Sequence, residues 1–187
     1  MTILAKEVDL FPSDLLERVA MEIGTSESRW FALYTLSRRE KQLMRKLVGL
    51  NVPFYGPVVE RRYRSPNGRV RTSYQPLFAN YVFIYGHPAD RRASLTTNCV
   101  ARCYDVEDGR QLVHDLQSIQ RLIQIGRPLT PETCLARRDR VRVKSGIFAG
   151  FEGTILRRDK ETRLLVSVNF TQQGASVELD DCQLELI

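Results

Sequence analysis

Five arginines, Arg61, Arg62, Arg64, Arg69 and Arg71, fall between positions 61 and 71, with Tyr63 among them. A guanidinium fork matches a phosphate in shape and charge, and an exposed aromatic ring can stack on a base. The chemistry offered is recognition of a polyanion; a solvated basic ribbon without a partner would carry the same residues. For bond-making chemistry the chain has little. It holds two histidines, no Ser or Cys set beside a base and no phosphate-cradling loop. Asp180 and Asp181 are adjacent, so on a strand they would point to opposite faces. Cys99 and Cys103 with His87 and His114 follow no metal-ligand spacing that carries a mechanism. The expectation is a protein that binds, with no enzymatic activity, no cofactor and no metal.

Charge is unevenly spread. The 187 residues carry a net +6, yet residues 1–28 sum to −4, residues 29–136 to +9 and residues 137–187 to +1. The positive excess in the middle favours a polyanionic neighbour, because phosphate neutralisation releases counterions. Hydrophobic residues make up 43% of the chain, enough for a buried core. The longest apolar run, around Trp30–Leu36, is far short of a membrane span, and the N-terminus lacks the pattern of a secretion signal. The four cysteines, at 99, 103, 134 and 182, show no C-x-x-C pair and read as reduced thiols of a cytoplasmic protein.

These residues need elements to position them. Residues 1–28 read as an acidic arm, with Ser13 capping a short helix that lines up Leu15, Leu16, Val19 and Ile23. Trp30–Leu36 reads as a central strand. Ser37-Arg38-Arg39-Glu40 has the spacing of a capping box, followed by Leu43, Met44, Leu47 and Leu50 at helical spacing. Val58–Arg64 and Arg69–Gln75 read as strands joined by Ser65-Pro66-Asn67-Gly68, an Asn-Gly hairpin signal. A strand over Phe78–Tyr85, a helix over Pro88–Thr97 and a strand over Cys99–Val106 follow. Leu112, Leu116, Ile119 and Ile123 make the last amphipathic stripe. The order β-α-β-β-β-α-β-α predicts an α+β sandwich with a mainly antiparallel sheet over 29–125. Residues 126–137, with Pro128 and Pro131, read as a linker. About five short strands over 138–187 then predict a small barrel.

The second domain opens on Arg138–Ile155. Val141 and Val143 alternate on a strand, and Gly146, Gly150 and Gly153 follow before the next strand. Glycines at that density mark positive φ or close approach. The spacing resembles the KOW motif of small five-stranded barrels. With it, Trp30–Lys41 and Leu77-Phe78-Ala79-Asn80-Tyr81-Val82-Phe83 resemble the N-terminal domain of the NusG family. The signature there is Leu/Phe-Phe-Pro-Gly/Asn-Tyr-Val/Leu-Phe. Asn80 and Tyr34 are similar to the specialised RfaH-like paralogues. Ala79 departs from the usual proline, and Arg138 from the usual glycine.

The resemblance implies a transcription elongation and antitermination factor. Its N-terminal domain would dock on the β′ clamp helices of RNA polymerase through Tyr34, Phe78, Tyr81 and Phe83, with the arginine hairpin facing the DNA of the elongation complex. Arg91 and Arg92 would lie near the region that meets the polymerase gate loop. Phe170, in the loop Asn169–Gly174, would meet Rho or a ribosomal small-subunit protein. The competing reading is a KOW-type RNA-binding or ribosome-assembly protein. The Leu77–Phe83 signature and the α+β domain argue against it.

Overall fold

The computed structural model describes residues 6–22, 27–64, 68–133, 140–158, 161–179 and 183–187. The chain divides into two compact units, Met1–Arg110 and Gln111–Ile187. The expected tip of the hairpin at 65–67, together with Ile23, Cys134, Arg138, Asp180, Asp181 and Cys182, lies outside the described residues.

The first unit runs β1 (Leu10–Phe11), α1 (Leu15–Glu22), β2 (Arg29–Thr35), α2 (Glu40–Gly49), β3 (Phe54–Tyr55), β4 (Val58–Arg64), β5 (Val70–Pro76), β6 (Tyr81–Gly86), α3 (Pro88–Leu95) and β7 (Val100–Asp105). Five strands form an antiparallel sheet in the order β1-β3-β6-β2-β7, and β4 and β5 form a separate two-stranded ribbon. Strand alternation divides the sheet residues between two faces. Phe31, Leu33, Phe54, Val82 and Ile84 pack with Leu43, Met44 and Leu47 of α2 in one buried cluster. The alternate positions carry Trp30, Ala32, Tyr34, Tyr81, Phe83 and Tyr85 on the opposite face.

The segment read as an acidic arm is part of this unit. Leu10 and Phe11 pair with Tyr55 and Phe54, and Phe11 stacks on Phe54 with ring centroids 6.3 Å apart. Leu15, Leu16 and Val19 of α1 are fully buried. Two-residue strands such as β1 and β3 have no period of their own, so only their partners reveal them. The capping box at Ser37 does not form either. Arg38 adopts φ 60, the helix starts at Glu40, and Arg39 at its N-cap makes no side-chain cap hydrogen bond. Glu40 is instead buried, and its Oε1 accepts the backbone N–H of Asn80 at 2.9 Å. A long-range tie has taken the carboxylate that a local cap would have used.

Helix α4 (Gly109–Gln124) leads from the first unit into the second, where most of it lies. The strands that follow are β8 (Thr130–Thr133), β9 (Arg140–Val143), β10 (Glu152–Arg158), β11 (Glu161–Val168), β12 (Gln173–Glu178) and β13 (Leu184–Leu186). They make one antiparallel sheet in the order β13-β9-β10-β11-β12-β8. The strand β8 arises from the segment read as a linker. Its Pro131 lies opposite Ala175 on an edge strand, where a missing N–H is tolerated. Arg163 binds it in place, donating to Thr130 Oγ1 at 3.0 Å and to the carbonyl and hydroxyl of Ser176, while Ser176 Oγ donates to Glu132 at 2.8 Å. The glycines behave as their density predicts. Gly146 and Gly150 have φ +84 and +86, and a Cβ on Gly153 would fall 2.3 Å from the Leu165 carbonyl oxygen.

Candidate interaction sites

The aromatic face of the first unit is built from the β2–β6 register, which sets Trp30 opposite Tyr85, Ala32 opposite Phe83 and Tyr34 opposite Tyr81. The small Ala32 leaves room for the Phe83 ring, which meets Phe78 edge-on at 6.3 Å and lies parallel to Tyr81 at 6.5 Å. Tyr81 meets Tyr34 edge-on at 5.2 Å. The predicted residues are therefore brought together, but at two depths. Phe78 and Phe83 are fully buried, and Phe78 sits in the turn before β6 and not on the strand. Tyr34 and Tyr81 are half-buried and keep part of their surface accessible.

Asn80 holds this arrangement. It adopts φ 64, a left-handed conformation that asparagine and glycine reach at least cost, which explains why the signature has Gly or Asn here. Its carbonyl accepts the Thr35 N–H at 2.8 Å, its own N–H goes to Glu40, and its side-chain amide lies 3.5 Å from the Tyr34 hydroxyl. Burial, with Tyr104 and Tyr34 close by, pushes the Tyr81 phenol above its ordinary range. It remains a neutral donor at physiological pH.

Two neighbours escaped the sequence reading. In the β2–β7 register, Tyr104 lies opposite Ala32 and Arg102 opposite Tyr34, so both share the tyrosine face. Tyr104 is 37% exposed. Their alternation within Val100–Asp105 was the signal that could have found them. Arg91, by contrast, lies over the Phe31 ring at 6.0 Å and packs against the body.

The ribbon carries the arginines. Arg61, Arg62, Arg64, Arg69 and Arg71 are all exposed, as is Tyr63. Its base is tied to the body at three points. Val58 N–H donates to Asp9 Oδ2 at 3.3 Å, Leu77 N–H to the Pro57 carbonyl at 2.7 Å, and Lys41 Nζ to the Tyr74 carbonyl. Asp9 comes from the N-terminal segment, which therefore helps to aim the ribbon.

Phe170, 37% exposed, stands in the tight turn between β11 and β12. Within the turn, Thr171 N–H donates to the Val168 carbonyl at 3.2 Å and the Gln172 side chain to the Asn169 carbonyl at 2.7 Å. Asp115 of α4 holds it from outside, its Oδ2 accepting the Asn169 N–H at 2.9 Å and its Oδ1 accepting from Gln111 at 2.7 Å. Burial pushes the Asp115 carboxyl up, opposed by these two hydrogen bonds and by His114. Sequence reasoning had no signal for Asp115, because its partner is 54 positions away.

Among the described residues no group of three or more His, Cys, Asp or Glu side chains is placed to hold a metal, and no helix is long and apolar enough to cross a membrane. Cys99 is buried and Cys103 half-buried, and both are free thiols.

Comparison with known proteins agrees with this architecture. A family model described as "Transcription termination factor nusG" matches residues 28–133, and one described as "KOW motif" matches residues 137–169. A protein of Buchnera aphidicola subsp. Acyrthosiphon pisum (strain APS), the transcription termination/antitermination protein NusG, is 29% identical over 177 residues. That alignment covers 86% of this chain and 97% of the relative.

Proposed function

The chain belongs to the NusG family of transcription termination and antitermination factors, and from that premise we propose that its first unit docks on RNA polymerase through the tyrosine face. Tyr34 and Tyr81 make the contact, with Tyr104 beside them, against the β′ clamp helices. Phe78 and Phe83 act from below by fixing the two tyrosine rings. The observation that carries this reading is a half-exposed tyrosine pair standing on fully buried phenylalanines. Amphipathic rings already locked by packing lose little entropy on binding and are the usual anchors of an interface.

Docked there, the factor acts by binding and not by catalysis, favouring continued elongation. The arginine ribbon reaches nearby nucleic acid, the DNA of the elongation complex. Phe170 on the second unit takes a second protein partner, Rho or a ribosomal small-subunit protein.

The test is the affinity of the full chain for core RNA polymerase, with Tyr34→Ala and Tyr81→Ala made singly and together. Each single change is expected to cost about 2 kcal/mol, roughly thirtyfold, if these are anchors. Unchanged affinity in a double variant whose circular dichroism matches the parent would remove the tyrosine face from the interface.

A further inference from the structure

The register of the ribbon sorts its residues into two unlike faces. Residues directly opposite each other in an antiparallel pair project to the same side. One side therefore carries Val58 and Pro76, Glu60 and Tyr74, Arg62 and Thr72, then Arg64 and Val70. The other carries Val59 and Gln75, Arg61 and Ser73, then Tyr63 and Arg71. Arg69 precedes the first residue of β5 and has no partner in the ladder; carrying the two-residue period back from Arg71 assigns it to the second side.

The body of the first unit distinguishes the two. Val58 belongs to the buried cluster under α2, and Tyr74 packs against that cluster. The first side is thus the inward continuation of the core. Its charge is also partly cancelled, because Glu60 holds Arg62 at 2.5 Å. The second side turns away from the core and carries Arg61, Arg69 and Arg71 with no carboxylate. Tyr63, 47% exposed, stands on it directly opposite Arg71.

We propose that the ribbon is a one-faced reader of single-stranded nucleic acid: Arg61, Arg69 and Arg71 take phosphates, Tyr63 stacks on an unpaired base, and Arg62 and Arg64 take no part. The proposal deepens the function given above and rests on it only in taking nucleic acid as the ribbon's partner. Arginine alone would serve phosphates of any form. A ring set among three cations gains from stacking only where a base is out of its helix, and that combination marks single-strand sites. The carboxylate sits on the face that a polyanion would avoid.

The test measures binding of the full chain to a fluorescein-labelled 15-nucleotide DNA, to the RNA of the same sequence and to the corresponding DNA duplex, across a salt series. Arg61→Gln with Arg71→Gln should lower the salt slope on a single strand by about 1.4, two phosphate contacts at about 0.7 each, and weaken binding about tenfold or more. Arg62→Gln with Arg64→Gln removes the same formal charge and should leave affinity within about twofold. Tyr63→Ala should cost about tenfold on the single strand and little on the duplex, and Tyr63→Phe should restore binding. This pattern on either the DNA or the RNA strand supports the proposal. Equal losses from the two arginine pairs would overturn the one-faced reading while leaving nucleic acid as the partner. A neutral Tyr63→Ala, or preference for the duplex, would overturn single-strand stacking. Failure of all three probes to bind would overturn the proposal together with the reading beneath it, and the polymerase affinity of the tyrosine variants would be untouched by that result.

Discussion

In the first unit the half-buried Tyr34 meets Tyr81, Tyr81 lies on Phe83, and Phe83 is wedged against Phe78, so four rings run continuously into the core. In the second unit Phe170 stands on a four-residue turn, and what steadies that turn is a hydrogen bond from Asn169 to the Asp115 carboxylate. Both are proposed contact surfaces built on an aromatic ring. The first is rigid because a sheet register and a packed core specify it. The second is rigid only to the extent that one buried carboxylate keeps its acceptor role. Removing an inner residue should therefore damage the first site through lost packing and the second through an orphaned donor.

The largest effect is expected at Phe83. It is fully buried at the centre of the sheet. Phe83→Ala should cost about 3–5 kcal/mol of stability, read as a shift in the denaturant midpoint. Tyr81→Ala, two residues before Phe83 on the same face of β6 and half-buried, should cost markedly less stability while losing polymerase affinity. If the two changes proved equally destabilising, the separation into a supporting layer and a contacting layer would fail.

Next in size is Asp115. Asp115→Ala removes the acceptor of the part-buried Asn169 N–H and should cost about 1 kcal/mol. Asp115→Asn keeps a carbonyl acceptor and removes a charge whose burial is unfavourable, so it should be far milder. The pH dependence separates the two further. The folded-state pKa of Asp115 lies above its unfolded value. The stability this group contributes is therefore fully present below the unfolded pKa and is lost as pH rises through the folded one. The Asp115→Asn chain should lack that acid-side decline, and a parent and variant with parallel stability–pH curves would argue against a raised carboxyl.

The same contrast explains what could be read in advance. The aromatic alternation of β2 and β6, the ribbon and the glycine-rich turn of the second unit follow from period, turn chemistry and the demand for positive φ, all local properties of the chain. The sequence sets Phe78 and Phe83 beside Tyr34 and Tyr81, and the four rings do meet, but it does not say which of them lie under the surface. That depends on Ala32 standing opposite Phe83. Glu40 matched a capping box in spacing, yet its partner is Asn80, 40 positions on. The strands β1, β3 and β8 are two to four residues long and exist only because a neighbouring strand offers free backbone groups. The five arginines were legible as a cluster, and only the Tyr63–Arg71 register divides them.

The smallest expected effect tests the hinge of the tyrosine face. Asn80 sits at φ 64 and binds Thr35 and Glu40 through its backbone. Those two hydrogen bonds do not depend on the side chain, so Asn80→Gly should preserve the turn at near-zero cost, the loss of the weak contact to the Tyr34 hydroxyl set against freedom from strain. Asn80→Ala keeps neither the side-chain amide nor an easy left-handed conformation and should cost about 1 kcal/mol. Polymerase affinity should follow the same order, parent and Asn80→Gly together and Asn80→Ala weaker, because a shifted turn moves Tyr81 relative to Tyr34. If alanine were tolerated as well as glycine in both stability and affinity, the left-handed turn would not be what fixes the tyrosine pair, and the register of β2 with β6 alone would have to account for its rigidity.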